Sequence, residues 1–169
     1  MSLAVDVQMA LADAGQSELP TAADITRWAR AAFAVGGGRG DACLAVRLVD
    51  EAEITRLNSE FRHKTRPTNV LSFPFEPPPG LPDAVTAGEL GDVVVCAPVV
   101  EREASEQGKP AADHWAHMVV HGTLHLLGYD HMTDGEAAQM EPLELRALAT
   151  LDIADPYAAL DAAVADRAP

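Results

Sequence analysis

Hydrophobic and polar positions change period several times along the chain, and each change marks an element. Leu3 to Met9 alternates loosely, as an edge strand does. Thr21 followed by Asp24 supplies an N-cap and an acidic first turn for a helix to about Val35, and Gly36-Gly37-Gly38 ends it. That triple glycine lacks the lysine and hydroxyl of a phosphate-binding loop and reads as a turn. Between Ala42 and Val49, Leu44, Val46 and Leu48 alternate with Cys43, Ala45 and Arg47, which predicts a strand. Asp50 with Glu53 three residues on opens a helix to about Phe61, and Arg62 to Asn69 is a polar loop containing Pro67. Val70 to Phe75 reads as a strand, and Pro77-Pro78-Pro79-Gly80 breaks the chain. The Val-rich run Leu90 to Ala97 predicts a buried central strand. Beyond Pro98 the pattern is helical over about 98–107, 111–127 and 135–150. Strands come early and helices late, so the expected class is α+β, a small and mostly central sheet packed by several helices.

Composition bounds this picture. The 169 residues suffice for one domain that buries about 70% of its unfolded surface. That domain is expected over 1–157, with the Ala-rich 158–169 as a frayed tail. With 48% apolar and 22% charged residues, wholesale disorder is excluded. The most apolar stretch, Val93 to Val100, is too short to cross a bilayer, and the N-terminus has no basic flank of a signal peptide. Cys43 and Cys96 lie far apart without CxxC spacing, so no disulfide framework is expected and a reducing cytoplasm is the default. The formal net charge of −14 argues against a protein that coats nucleic acid electrostatically. Yet Arg56, Arg62, Lys64 and Arg66, four of the 12 Lys and Arg, sit together beside His63. An acidic body with one local basic patch can hold a phosphate chain weakly and locally; charge alone fits an idle solvated loop equally well.

Five of the six histidines fall between His114 and His131. At 100° per residue, His114, His117, His121 and His125 occupy about 80° of one helix face. The other faces carry Trp115, Met118, Val119, Val120, Leu124, Leu126 and Leu127, so this helix in the C-terminal half is expected to be buried. Gly128 stops it, and the chain can turn to bring His131 back toward His121 and His125. Histidines at i and i+4 present two imidazole nitrogens to one metal, and a third ligand makes a catalytic zinc site with an open position for water. Zinc brings that water to a pKa near 7.

The spacing matches the metzincin pattern H-E-x-x-H-x-x-G-x-x-H with one omission: Gly122 stands where that motif has its glutamate. A metalloprotease needs that carboxylate as its acid and base, and no replacement is evident at helical spacing. Peptidase chemistry therefore ranks last.

The run His121-Gly122-Thr123-Leu124-His125-Leu126-Leu127-Gly128-Tyr129-Asp130-His131 resembles the signature of the YbeY endoribonuclease family, a bacterial rRNA maturation factor. Leu57-Asn58-Ser59-Glu60-Phe61-Arg62 leading to Pro67-Thr68-Asn69-Val70-Leu71-Ser72-Phe73-Pro74 is similar to the family's L-N-x-x-F-R and P-T-D-V-L-S-F-P segments. Leu90-Gly91-Asp92-Val93 resembles its L-G-D-I, and Met140-Glu141 through Asp155-Pro156-Tyr157 its C-terminal helix and D-P-Y. Asn69 departs from the family's usual Asp. The resemblance implies a zinc-dependent, single-strand-specific endoribonuclease acting in small-subunit ribosomal RNA processing and ribosome quality control. It implies one zinc ion per chain on His121, His125 and His131, and a functional arginine at Arg62. Ribosomal RNA and ribosomal proteins are the implied partners, with no membrane. The competing reading is a noncatalytic ribosome-assembly factor whose metal only organises the fold.

Several residues read two ways. Arg62 suits forked contacts to phosphate oxygens and charge developing at phosphorus; its alternative is a surface salt bridge. Asp130 is either a carboxylate that orients a ligand histidine or a local helix cap. His117 is either a support or substrate contact beside His121 or a buried structural residue, and His114 reads as structural. Arg56, Lys64 and Arg66 are the RNA-binding candidates, and His63 is either a proton shuttle or, the favoured reading, an exposed bystander. Cys96, Trp28 and Tyr129 read as packing.

Overall fold

A computed structural model describes residues 2–11, 19–82, 86–129 and 134–157. Its sheet has four strands, β1 (Ser2–Ala10), β2 (Asp41–Val49), β3 (Val70–Pro74) and β4 (Glu89–Cys96), in the order β1-β2-β4-β3. β1, β2 and β4 run parallel, and β3 is antiparallel to β4 at the far edge. The helices among the described residues are α1 (Ala22–Val35), α2 (Glu51–Arg62), α3 (Ala97–Gln107), α4 (Ala111–Leu126) and α5 (Asp134–Thr150). The α+β expectation holds, including the edge position of β1 and the central position of β4.

Local chemistry sets the element boundaries. Thr21 Oγ1 accepts from the Asp24 amide at 3.1 Å to start α1, and Asp50 Oδ1 accepts from the Glu53 amide at 2.9 Å to start α2. At the end of α4, Gly128 has φ 102°, and the Tyr129 amide then reaches back to the Leu124 carbonyl at 3.1 Å.

Strand alternation divides the interior into two cores. Leu44, Val46 and Leu48 of β2 with Val93 and Val95 of β4 join the larger core, closed by α1, α4 and α5. Val49, Val94 and Cys96 turn to the opposite face, where Leu71, Ile54 of α2 and Val99 of α3 complete a smaller core. β4 therefore feeds both cores, which explains a valine run with no polar alternation. Cys96 is fully buried there and is structural; burial pushes its thiol up to about 11, and neither it nor Cys43 is in a disulfide. Trp28 likewise packs in the larger core.

α4 lies directly on the sheet. Gly122 permits that approach: a Cβ there would stand 2.5 Å from Val93 Cγ1. The Gly122 carbonyl instead accepts the Ser72 hydroxyl at 3.0 Å, tying the helix to β3.

Candidate metal centre and basic cleft

Four histidines descend one face of α4 as a ladder of rings. Successive centroids from His114 to His125 are 6.3, 6.2 and 4.6 Å apart. Side-chain exposure rises from 4% at His114 to 9% at His117 and 17% at His121. The buried end is structural, as expected: His114 Nε2 meets Glu103 at 3.0 Å. The lower end opens toward solvent.

A carboxylate that sequence reasoning missed organises the middle of the ladder. Glu144, 1% exposed, projects from α5 between His117 and His121. Its Oε2 lies 2.6 Å from His117 Nε2 and its Oε1 2.8 Å from His121 Nδ1. The Tyr157 hydroxyl donates to the same Oε2 at 2.7 Å. Burial works against the charged form of Glu144, yet the bonds from His117 and His121 outweigh it and hold the carboxyl down at about 2. An ionised carboxylate only accepts, so His117 Nε2 and His121 Nδ1 carry the protons. Burial also lowers His117, against the opposing pull of Glu144. For Tyr157, burial and the bond to Glu144 both push the phenol up.

His117, His121 and Glu144 offer ligand atoms within 4.8 Å of one another and are positioned to bind a metal ion. With Nδ1 of His121 committed to Glu144, its Nε2 keeps a lone pair and stands 3.1 Å from His125 Nε2. Two nitrogens bound tetrahedrally at about 2.0–2.1 Å stand about 3.3 Å apart, so the 3.1 Å contact, a hydrogen-bond distance between the two rings, is also close to the spacing of two ligands on one ion. Asp130 and His131 lie outside the described residues.

His121 and His125 form one side of a cleft of about 700 Å³, and Arg62, Lys64 and Arg66 line it too. The Arg62 guanidinium donates to the Ser72 carbonyl at 3.3 Å. Ser72 therefore connects two parts of the site: its carbonyl seats Arg62, and its hydroxyl holds α4 beside His121. The loop after α2 is pinned by the buried Asn58, whose Nδ2 donates to the Arg66 carbonyl at 2.9 Å. Asn69 also lines the cleft and donates to Glu103 at 3.1 Å, so its amide lies beside a carboxylate where Asp would meet like charge. Tyr129 lines it as well, its hydroxyl donating to the Gly36 carbonyl at 3.0 Å.

Not every candidate converges here. Arg56 is exposed and is not among the cleft residues; it lies about 200° around the helix from Asn58, which faces the cleft. His63 caps α2 with φ 57° and is not among the cleft residues. A signal for Glu144 did exist in the sequence. Met140, Glu144, Ala147 and Leu148 form one helical stripe, and all four are buried.

Fold and site together define a class: an α+β domain with a cluster of histidines and a carboxylate positioned to bind a metal ion, beside a cationic cleft. Residues 13–152 match the model of the Endoribonuclease YbeY family, and the chain belongs to that family. It is 60% identical over 154 residues to the Endoribonuclease YbeY of Alkalilimnicola ehrlichii, covering 91% of this chain and 92% of that one. To that of Alcanivorax borkumensis it is 54% identical, covering 90% and 85%, and to that of Halorhodospira halophila 53%, covering 90% and 97%. Among solved structures, the solution structure of a Thermotoga maritima protein is similar at 25% identity and a TM-score of 0.51, covering 89% of this chain and 97% of that one. Membership places the chain among the endoribonucleases, hydrolases that act on RNA. Among the described residues no helix is long and apolar enough to cross a membrane.

Proposed function

We propose that this protein is a zinc-dependent, single-strand-specific endoribonuclease of the cytoplasm, acting on ribosomal RNA in small-subunit maturation and ribosome quality control. The observation that carries the reading is the pair of Nε2 atoms of His121 and His125, 3.1 Å apart, in a cleft that Arg62 also lines. His131 is the proposed third ligand, one zinc ion per chain. Zinc held there supplies Lewis acidity and lowers the pKa of coordinated water to about 7.

The chain's own residues do the rest. Glu144 accepts from His121 Nδ1, which leaves Nε2 as the atom that would hold the metal, and fixes ring orientation and tautomer as carboxylates behind zinc-binding histidines do. The 2.6 Å and 2.8 Å spacings in that cluster are hydrogen-bond distances, which favours this orienting role over direct ligation. His117 donates to the same carboxylate and helps to hold it in place. Arg62 contacts the scissile phosphate and offsets charge that develops in the transition state. Lys64 and Arg66 hold neighbouring phosphates. With a formal charge of −14 over the whole chain, the body repels the rest of the nucleic acid, so a ribosomal protein or another part of the ribosome is the proposed partner that places the substrate.

The test is cleavage of purified ribosomal RNA by metal-free, zinc-reconstituted and His121→Ala protein. Cleavage is expected only from the reconstituted protein, with about one zinc per chain. Equal cleavage by all three would overturn the proposal.

A further inference from the structure

Phe61 is 59% exposed, the most exposed large hydrophobic side chain among the described residues. It occupies the last turn of α2, immediately before Arg62. Its ring is braced edge-on against Phe73, with centroids 5.1 Å apart and planes at 66°. Phe73 lies on β3 between Ser72 and Pro74, which both line the cleft. Thus Arg62 rests on the Ser72 carbonyl within the cleft, while its neighbour Phe61 rests on the Phe73 ring, which packs against the smaller core; neither ring is among the residues that line the cleft, and Phe61 stands beside it through Arg62.

We infer that the open face of Phe61 is a stacking platform for an unpaired base of the RNA whose phosphate Arg62 holds. This inference rests on the cleft's binding RNA, as proposed above. Exposing a rigid aromatic ring to water is unfavourable, and a ring beside clustered cations is the usual arrangement for single strands, with phosphates on the cations and bases on the ring. A base inside a duplex has both faces covered and cannot stack there, so Phe61 accounts for a preference for single-stranded RNA. Lys64 and Arg66 alone would bind the phosphates of either form. The platform tolerates any base, because every base has a π-face.

The experiment is single-turnover cleavage by zinc-loaded protein of a short single-stranded RNA and of variants with one abasic nucleotide at each position in turn. For Phe61→Ala and Phe61→Leu, the half-saturating RNA concentration should rise about 5- to 150-fold, the range expected for losing one stacked base. The rate at saturation should change little, and Phe61→Trp or Phe61→Tyr should restore binding. In the wild type, one abasic position should cause a similar rise, and at that position Phe61→Ala should add nothing. Wild-type cleavage with a silent Phe61→Ala would overturn the stacking role and leave the cleft reading intact. Effects of Phe61→Ala that add to those of every abasic position would overturn it too. Weaker binding to ribosomal subunits alone, with naked RNA unaffected, would assign Phe61 to a protein contact and overturn the inference. A wild type that neither binds nor cleaves RNA would remove both this inference and the reading beneath it.

Discussion

Replacing Gly122 with alanine perturbs the contact between the histidine helix and the sheet, and its cost can be worked from the structure. The added Cβ would stand 2.5 Å from Val93 Cγ1 and 3.2 Å from both Val93 Cγ2 and Ser72 Oγ. An ordinary carbon contact is about 3.5–4.0 Å, so the closest approach is about 1 Å too short. Val93 is fully buried in the larger core. Overpacking of this kind costs about 1–3 kcal/mol, and a gap this short belongs in the upper half of that range. Alanine's better helix propensity returns about 0.5–1 kcal/mol. The net loss is therefore about 1–2.5 kcal/mol, or a fall in Tm of about 2–10 °C for a chain of this size. Activity should fall further than stability suggests. Lifting α4 stretches the 3.0 Å bond from Ser72 to Gly122, while Arg62 stays on the Ser72 carbonyl. A displacement of about 1 Å between His121 and Arg62 can cost about 100-fold in rate. Thermal unfolding followed by circular dichroism reads the first effect and RNA cleavage the second. Val93→Ala removes the opposing methyls, so the double variant should lose less than the sum of the two single losses, with a coupling of about 0.5–3 kcal/mol. A Gly122→Ala protein as stable as the wild type, or strict additivity with Val93→Ala, would refute the close-packing argument.

Glu144→Gln replaces an acceptor of three hydrogen bonds by a group with one oxygen and an NH2 that faces donors; zinc affinity should fall about 10- to 100-fold in a chelator competition. Zinc binding unchanged by that variant would remove the orienting role. Hydrogen bonding from His114 holds the Glu103 carboxyl below its ordinary 4.5, against burial and with help from Asn69. A depressed carboxyl stabilises the fold above its unfolded value, and that contribution disappears as pH falls through the folded value. Stability to denaturant should therefore fall below about pH 4.5, and less steeply in Glu103→Gln; equal slopes would contradict the assignment. Lys64→Ala and Arg66→Ala should each flatten the salt dependence of RNA binding by about 0.7 in log–log slope, the value per phosphate on single strands. An unchanged slope would place the phosphates elsewhere.

Much of this architecture is legible in the sequence wherever the determinant is local. Thr21 with Asp24 and Asp50 with Glu53 mark helix starts, because a cap and its amide lie three residues apart in any structure. The His121 and His125 pair is equally local, fixed by one helical turn. Two features that depend on which elements meet are not legible in this way. Glu144 reaches His117 and His121 from 27 and 23 residues away, and helical spacing along α4 cannot show it. Its place in the stripe with Met140, Ala147 and Leu148 marks it as buried without naming its partner. Arg56 fails for the opposite reason: it is close in sequence to Arg62 but on another side of α2, and charge counting ignores direction. The role of Ser72 depends on the antiparallel placement of β3, which pairs it with Val93 beneath α4. No signal in a five-residue strand encodes that edge position.

The central claim is that this chain cuts RNA at a metal centre with Arg62 acting on the phosphate. Its most direct test is the single-turnover rate of zinc-loaded Arg62→Ala protein at saturating single-stranded ribosomal RNA, with zinc content measured in the same sample. Losing a group that stabilises transition-state charge typically costs about 100- to 1000-fold in rate. The account predicts a loss of that size, with about one zinc per chain retained and binding little changed, since Lys64 and Arg66 remain. A wild-type rate at saturation would contradict it.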